Sequence, residues 1–291
     1  MARALLIVNP YASAVTDERV DAVMRALGPV DLATTESPGH ATELARDASG
    51  RVERLYVFSG DGGFNEVLNG ADGETPLGFV PGGGTNVLPR ALGLPRNPVQ
   101  AAERLTSARP RRISLGRANG RRFGFSAGLG LDAELVRRVD ALGRTGEGKR
   151  AGDLAFAWTA VRTLVEHRAR LQPEIALAGL GRVAFALVAN ADPYTYAGPF
   201  PLRVAPLARF ELGLDVVGPR RLTPGLLPRF LFYLARGGGQ EDDPRVLYRH
   251  DVDRIDAACD RPTPLQVDGE DLGDVTEAAF EAERGAVLVL A

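Results

Sequence analysis

Through the first hundred residues, short apolar runs alternate with segments whose apolar positions fall three and four apart. Residues 4–8, ALLIV, contain no polar position, the pattern of a strand buried on both faces. Residues 16–27 then place Val20, Val23, Met24 and Leu27 on one helical face. A second strand is predicted over 30–34, a helix over 41–48 and a buried strand over 55–58. A helix is expected to begin at about Phe64, with Phe64, Val67 and Leu68 inward. A strand at 77–80 and a short helix at 86–92 complete the series. Alternating strand and helix with continuous apolar strands predicts a doubly wound α/β domain, a parallel sheet with helices on both faces.

From Arg111 the pattern changes to short apolar runs separated by turns, as in RRISLGRA, RRFGFSAGLG, RVAFALVAN, FELGLDVVG and TPLQVDGE. Regular short strands predict a β-rich, antiparallel second domain, a sandwich or barrel. Two helical segments, 153–168 and 224–236, interrupt it. The expected division is 1–112 and 113–284, with the apolar stretch 285–291 free to return to the first domain.

The glycine-rich turns fall where such a sheet would expose them. Ser59-Gly60-Asp61-Gly62-Gly63 follows one predicted strand, Gly82-Gly83-Gly84-Thr85-Asn86 another, and Asn9-Pro10 ends the first. Ligands of doubly wound sheets bind beyond the carboxyl ends of strands, where inward-turned N–H groups and helix starts favour anions. Asp61 is the odd member, because a carboxylate facing phosphates needs a cation between them. Two readings of the loop stand on this basis: a nucleotide-phosphate loop with a metal-linked carboxylate, or a tight turn with Asp61 capping a helix. Neither G-x-x-x-x-G-K-[ST] nor a G-x-G-x-x-G opening the first helix is present, which disfavours P-loop ATPases and dinucleotide oxidoreductases. Far along the chain, Asp268-Gly269-Glu270 sets two carboxylates on a turn after an apolar strand. It is either a surface hairpin turn or the source of a base for an acceptor hydroxyl.

Composition narrows the setting. Hydrophobic residues make up 45% and charged residues 25%, with a net charge of −2, so no global basic field points to nucleic acid. Lys149 is the one lysine, and Cys259 the one cysteine, which excludes an intramolecular disulfide and suits a cytoplasmic setting. The opening apolar run is too short for a signal peptide and no run approaches a membrane span. His40, His167 and His250 lack ligand spacing. The segment LPRFLFYLAR at 227–236 is either a core helix with arginine ends or a helix that lies on a bilayer. Trp158, Phe156, Leu164 and Val165 are candidates for an acyl pocket or for plain core. Asn190 and the YTYAGP loop are candidates for the acceptor's surroundings.

Taken together, the motifs resemble the bacterial branch of the diacylglycerol kinase catalytic-domain family, which is related to sphingosine kinases and more distantly to NAD kinases. IVNP at 7–10 resembles the family's opening motif. SGDGGFNEVLNG at 59–70 resembles GGDGTxNEVxNG, PGGGTNVLPRALGLP at 81–95 resembles P-x-GTxNDFAR-x-LG-x-P, and VDGE at 267–270 matches the closing motif. The resemblance implies an ATP- and Mg²⁺-dependent lipid kinase with an NAD-kinase-like nucleotide domain and a β-rich lipid-acceptor domain. It implies nucleotide contacts from Asn9, Pro10, Ser59, Gly60, Asp61, Gly62, Gly63, Glu66, Gly84, Thr85, Asn86 and Arg90. Asp61 would join the metal, and Glu270 would be the general base on the acceptor. Diacylglycerol or a related lipid is the expected substrate; another alcohol (sphingoid base, polyprenol, NAD) or a catalytically weak binding protein are the alternatives. Peripheral contact with the inner face of the membrane and a homodimer are the expected partnerships beyond substrate. The chain departs from the family at Ser59 and Gly63, at Val87 and Ser114, where the family has aspartates, and at 204–212, which lacks the D-D-G-x-[FL] pattern of a separate metal site.

Overall fold

A computed structural model of the protein describes residues 4–143, Glu166 and 170–291. The expected helix at 153–168 and its apolar candidates, with Lys149 and His167, lie outside these residues. Two compact units divide the chain: residues 1–115 with 284–291, and residues 116–283.

The first unit is built on parallel strands in the order β2 (Asp31–Thr34), β1 (Ala4–Val8), β3 (Arg54–Ser59), β4 (Leu77–Pro81) and the end of β16 (Glu270–Leu290), whose Val289 lies beside Leu77. Strand alternation sorts the apolar side chains onto two faces. Leu6, Val8, Tyr56, Phe58 and Val80 share a core with Val23 and Leu27 of α1 (Asp17–Leu27) and Ala102 and Leu105 of α5 (Pro98–Ser107). On the other face α2 (His40–Ala48) packs against α3 (Asp61–Gly70), whose Phe64 ring meets Phe79 edge-on at 5.3 Å.

Local signals set the helix ends. The Thr16 hydroxyl accepts from the Arg19 N–H, acids fill the first turn of α1, and Gly28 ends it at φ 84°. The periodicity did not single out α5, yet it carries a strong start: Asn97 accepts from the N–H groups of Val99 and Gln100, and Pro98 occupies the first turn. Helix α3 begins at Asp61, three residues before the expected Phe64, because Gly62 and Gly63 form its first turn. A short helix, α4 (Val87–Ala91), follows β4.

The second unit is antiparallel and β-rich. Strands β14 (Val246–Val252), β13 (Leu214–Pro219), β10 (Ala186–Ala189), β7 (Ser126–Leu129) and β15 (Arg254–Val267) lie side by side. The run β5 (Pro110–Ala118) pairs with β6 (Arg121–Phe123), and β8 (Ile175–Leu177) pairs with β9 (Gly181–Val183) and with β15. What the pattern suggested as separate strands, RIDAAC and TPLQV, is one 14-residue strand with register shifts against β16. Val188 and Val216 face one core with Phe123, Leu265 and Phe280. Leu187 and Val217 face another, closed by Phe230 of α7 (Leu227–Arg236). A further helix, α6 (Leu131–Gly143), follows β7, and a hairpin joins β11 (Thr195–Ala197) to β12 (Phe200–Leu202). No helix among the described residues is long and apolar enough to cross a membrane.

Candidate functional site: a glycine cradle and a locked acidic turn

Backbone hydrogen bonds gather the three turns of the first unit at the carboxyl ends of β1, β3 and β4. Asn9 N–H donates to Phe58 O (3.1 Å), Gly82 N–H to Ser59 O (2.7 Å) and Ala14 N–H to Gly82 O (2.8 Å). Asp61 Oδ1 accepts from Leu88 N–H at 3.3 Å, which links the first turn of α3 to α4. The chains of the two glycine turns nearly touch: a Cβ on Gly83 would fall 2.8 Å from Gly60 Cα. Only glycine on both sides permits that approach. The opening of a helix leaves its first N–H groups without intrahelical acceptors, so α3 presents donors and a positive dipole end beside this cradle.

Ser59 and Gly63 are sterically reciprocal. A Cβ added to Gly63 would lie 2.1 Å from Ser59 Oγ and 2.8 Å from Ser59 Cβ, with Asn9 Nδ2 at 4.0 Å. The volume that a threonine at 63 would need is already filled by the serine at 59. The two departures from GGDGT are therefore one exchange, in which a hydroxyl has moved from the helix to the strand end. Ser59 Oγ is fully buried and has no hydrogen-bond partner among the described residues, which is an expensive state unless a ligand supplies the partner.

Other predicted contacts are occupied locally. Asn86, at φ 53°, accepts from Gly83 N–H and donates to Gly83 O, both at 2.7 Å, and so pins the glycine loop. Both Glu66 carboxylate oxygens accept from the start of α2, from Gly39 N–H (2.9 Å) and Ala41 N–H (3.1 Å). The Arg90 guanidinium donates to Thr85 O at 3.4 Å, Gly84 and Pro10 are exposed, and Asn9 Oδ1 accepts from Tyr11 N–H. Val87 and Ser114 are both buried, and Ser114 Oγ accepts from Gly285 N–H. Among the described residues no group of three or more His, Cys, Asp or Glu side chains gathers at metal-binding distance. Of positions 61, 87 and 114, where the resemblance implies acids, only Asp61 carries one.

In the second unit the acidic turn is a two-residue hairpin, with Val267 opposite Glu270 and left-handed Asp268 (φ 48°) and Gly269 (φ 78°). Asp268 is buried, and its carboxylate accepts from Gly124 N–H (2.6 Å), Phe125 N–H (3.0 Å) and Ser126 N–H (3.1 Å). This fixes the turn that carries half-buried Glu270. Asn190 holds the same backbone segment through Gly124 O at 2.8 Å.

Periodicity did not reveal a second support beneath the turn. Gln266 accepts from Gly269 N–H at 2.8 Å and donates to Asp132 Oδ2 at 2.6 Å; Tyr194 donates to Asp132 Oδ1. Burial pushes the Asp132 carboxyl above its ordinary range and the Tyr194 hydroxyl well above its own. Gly128 is required here, since a Cβ would sit 1.9 Å from Asp132 Oδ2. The available signal was an acid at the start of a helix, in GLGLDAEL, and a glutamine just before VDGE.

Residues 3–118 match the model of the diacylglycerol kinase catalytic domain. That segment is similar to the diacylglycerol kinase catalytic domain. A diacylglycerol kinase of Bacillus subtilis (strain 168) is 38% identical over 122 residues, which is 40% of this chain and 40% of that protein's length. The chain therefore aligns with less than half of that relative. Among solved structures, a diacylglycerol kinase from Bacillus anthracis superposes with TM-score 0.71 at 19% identity, covering 99% of this chain and 96% of the other. An NAD kinase from Archaeoglobus fulgidus, in complex with ATP, superposes with TM-score 0.50 at 12% identity, covering 99% and 93%. At these identities the structural likenesses are of fold, and they cover both units.

Proposed function

We propose that the protein is an ATP-dependent lipid kinase that transfers the γ-phosphoryl group to the hydroxyl of diacylglycerol or a related lipid. The observation that carries this reading is the cradle of residues 59–63 and 82–86, at the strand ends of a segment that is similar to the diacylglycerol kinase catalytic domain. A nucleotide phosphate fits it chemically. The first turn of α3 turns a positive dipole end toward it, the buried Ser59 hydroxyl has no hydrogen-bond partner among the described residues, and the mutual approach of Gly60 and Gly83 keeps side chains out. Phosphoryl transfer depends on such positioning and charge neutralisation more than on covalent chemistry by the protein.

A Mg²⁺ ion would be held by Asp61 together with nucleotide phosphates and water, the way this ion is commonly bound, and would neutralise charge on the transferring group. Asp61 is steered by Leu88 N–H and by the dipole of its own helix. Glu270, on its locked hairpin, would accept the proton of the lipid hydroxyl as it attacks. Asp268, Gln266, Asp132 and Tyr194 keep that turn in place.

The test is a transfer assay with γ-labelled ATP against diacylglycerol, a sphingoid base, a polyprenol and NAD. Label in phosphatidic acid is the expected product; label in another acceptor reassigns the substrate. Asp61→Ala and Glu270→Ala should each abolish transfer in a folded protein, and full activity of Glu270→Ala would remove Glu270 as the base. A second reading, a nucleotide- or lipid-binding protein with little turnover, draws on buried Val87 and Ser114 standing where the family has acids. ATP binding without transfer to any acceptor in a mixed lipid extract would favour it.

A further inference from the structure

Helix α7 is apolar on both of its faces. Its inward side holds Phe230, edge-on to Phe185 at 6.0 Å, and Tyr233, whose hydroxyl donates to Asp243 Oδ2 at 3.0 Å. Its exposed positions include Pro228, Leu231, Phe232 and Ala235, spaced i, i+3, i+4 and i+7, which is a single stripe with no polar member. Leu231 is 51% and Phe232 55% exposed. The exposed positions of α1, in contrast, are Asp17, Glu18, Arg19, Asp21 and Arg25, the ordinary composition of a helix face that meets water. Beside α7 runs β12, joined through Arg203 N–H to Leu234 O (3.0 Å); its Phe200 is 71% exposed.

The charged side chains of the helix itself have one sign. Arg229 and Arg236 flank the apolar stripe, and no acid occurs in the helix. The Arg236 guanidinium lies 6.0 Å from the centre of the Phe232 ring, and Arg229 lies over Tyr233 and pairs with Asp243 at 3.3 Å. Such a helix matches the interface of an anionic bilayer: aromatic and aliphatic side chains enter at headgroup depth while arginines meet lipid phosphates. A second copy of the chain fits less well, because apposing two such faces would set arginines against arginines.

We propose that the outward face of α7, with Phe200 of β12, docks the protein on anionic membrane surfaces. This deepens the lipid-kinase reading and rests on it for its purpose, since a lipid acceptor resides in the bilayer. Docking itself is measurable without catalysis. Purified protein is sedimented with phosphatidylcholine vesicles and with vesicles that also contain phosphatidylglycerol. The wild type should co-sediment with the anionic vesicles and be released by high salt in part, as screening of Arg236 requires. The double variant Leu231→Ser, Phe232→Ser, altered only at exposed positions, should lose at least about ten-fold in vesicle affinity with an unchanged circular dichroism spectrum. Its rate on a short-chain diacylglycerol dispersed as monomers should match the wild type. Equal vesicle binding by the variant overturns the proposal, and so does a wild-type dimer that the double variant converts to monomer. Vesicle binding in a protein that phosphorylates no lipid in either format would leave docking standing and remove the kinase reading.

Discussion

The reciprocity of Ser59 and Gly63 can be tested as a double-mutant cycle. Gly63→Thr in the native background drives a methine carbon to 2.1 Å from Ser59 Oγ, more than an ångström inside van der Waals contact. Ser59 is 1% exposed and ends a central strand, so it has little room to yield. Overpacking of this kind costs about 1–3 kcal/mol. Ser59→Gly acts oppositely. It removes a buried hydroxyl without a partner among the described residues, whose burial costs about 1–3 kcal/mol, and adds the backbone freedom of glycine, about 0.5–1 kcal/mol against it, so the unliganded protein should be as stable as the wild type or more stable by up to about 2.5 kcal/mol. In the double variant the threonine occupies the vacated volume. The coupling between the two sites should therefore be about 1–3 kcal/mol in favour of the pair, within the range seen for residues in contact.

Urea unfolding of the four proteins measures that coupling, and calorimetric titration with ATP measures its functional side. A hydroxyl that donates to a charged phosphate contributes about 1.5–3 kcal/mol, so Ser59→Gly should weaken ATP binding by roughly ten-fold to a hundred-fold. The double variant should regain most of it through its threonine hydroxyl. Gly63→Thr as stable as the double variant would refute the steric exchange. Unchanged ATP affinity in Ser59→Gly would refute the role of the hydroxyl while leaving the exchange intact.

Asp268→Ala strands three buried N–H groups and should lower stability by at least about 3 kcal/mol, whereas Asp268→Asn keeps one acceptor and tolerates the left-handed backbone, so its loss should be about 1–2 kcal/mol in denaturant titrations. The Asp132 carboxyl is raised by burial, so its contribution to stability is full below the unfolded value near 4 and declines as pH rises through the folded value. Asp132→Asn should accordingly gain on the wild type between pH 4 and 8 in unfolding free energy, and a parallel offset across that range would contradict the assignment. The opposite sign holds for Asp243, which hydrogen bonds from Arg245 keep well below the usual carboxylate range. Its stabilisation is present above about pH 4 and is lost in stronger acid, so the deficit of Asp243→Asn at neutral pH should shrink as pH falls below about 4.

The first unit was legible because its strands are buried on both faces and its turns need glycine, so that composition and geometry coincide at ALLIV, SGDGG and PGGGT. The boundaries that moved did so for local reasons. Helix α3 starts at Asp61 because two glycines, poor helix formers in general, sit in a first turn where N–H groups need no intrahelical partner. Helix α5 was announced by its cap, Asn97-Pro98, more clearly than by its apolar spacing. In the second unit, long bent strands broke the period of alternation, and RIDAAC joined TPLQV across Asp260 and Pro262 with a shift of register.

The candidate site divides along a similar line. Residues proposed to act through their own backbone or charge (Gly60, Asp61, Gly83, Glu270) sit in motifs short enough to be noticed. Those that hold others are harder to tell apart, some inside the same motifs and some far from them. Asp268 looked like the first acid of an acidic pair, but its carboxylate is committed to three N–H groups more than 140 residues earlier in the chain, at 124–126. The base role proposed for this turn therefore falls to Glu270 rather than to Asp268. Asp132 and Gln266, 134 residues apart, meet only because β7 leads into α6 beside β15. Glu66, within the most recognisable motif of the chain, holds the start of α2. A motif of twelve residues therefore mixes at least two parts: residues 59–63 form the glycine turn proposed to cradle phosphate, and Glu66 fastens the helix that carries that turn to its neighbour. Substitution of Glu66 should consequently be read first in stability and only then in turnover, which separates it from Asp61 by experiment even though the sequence presents the two as one unit.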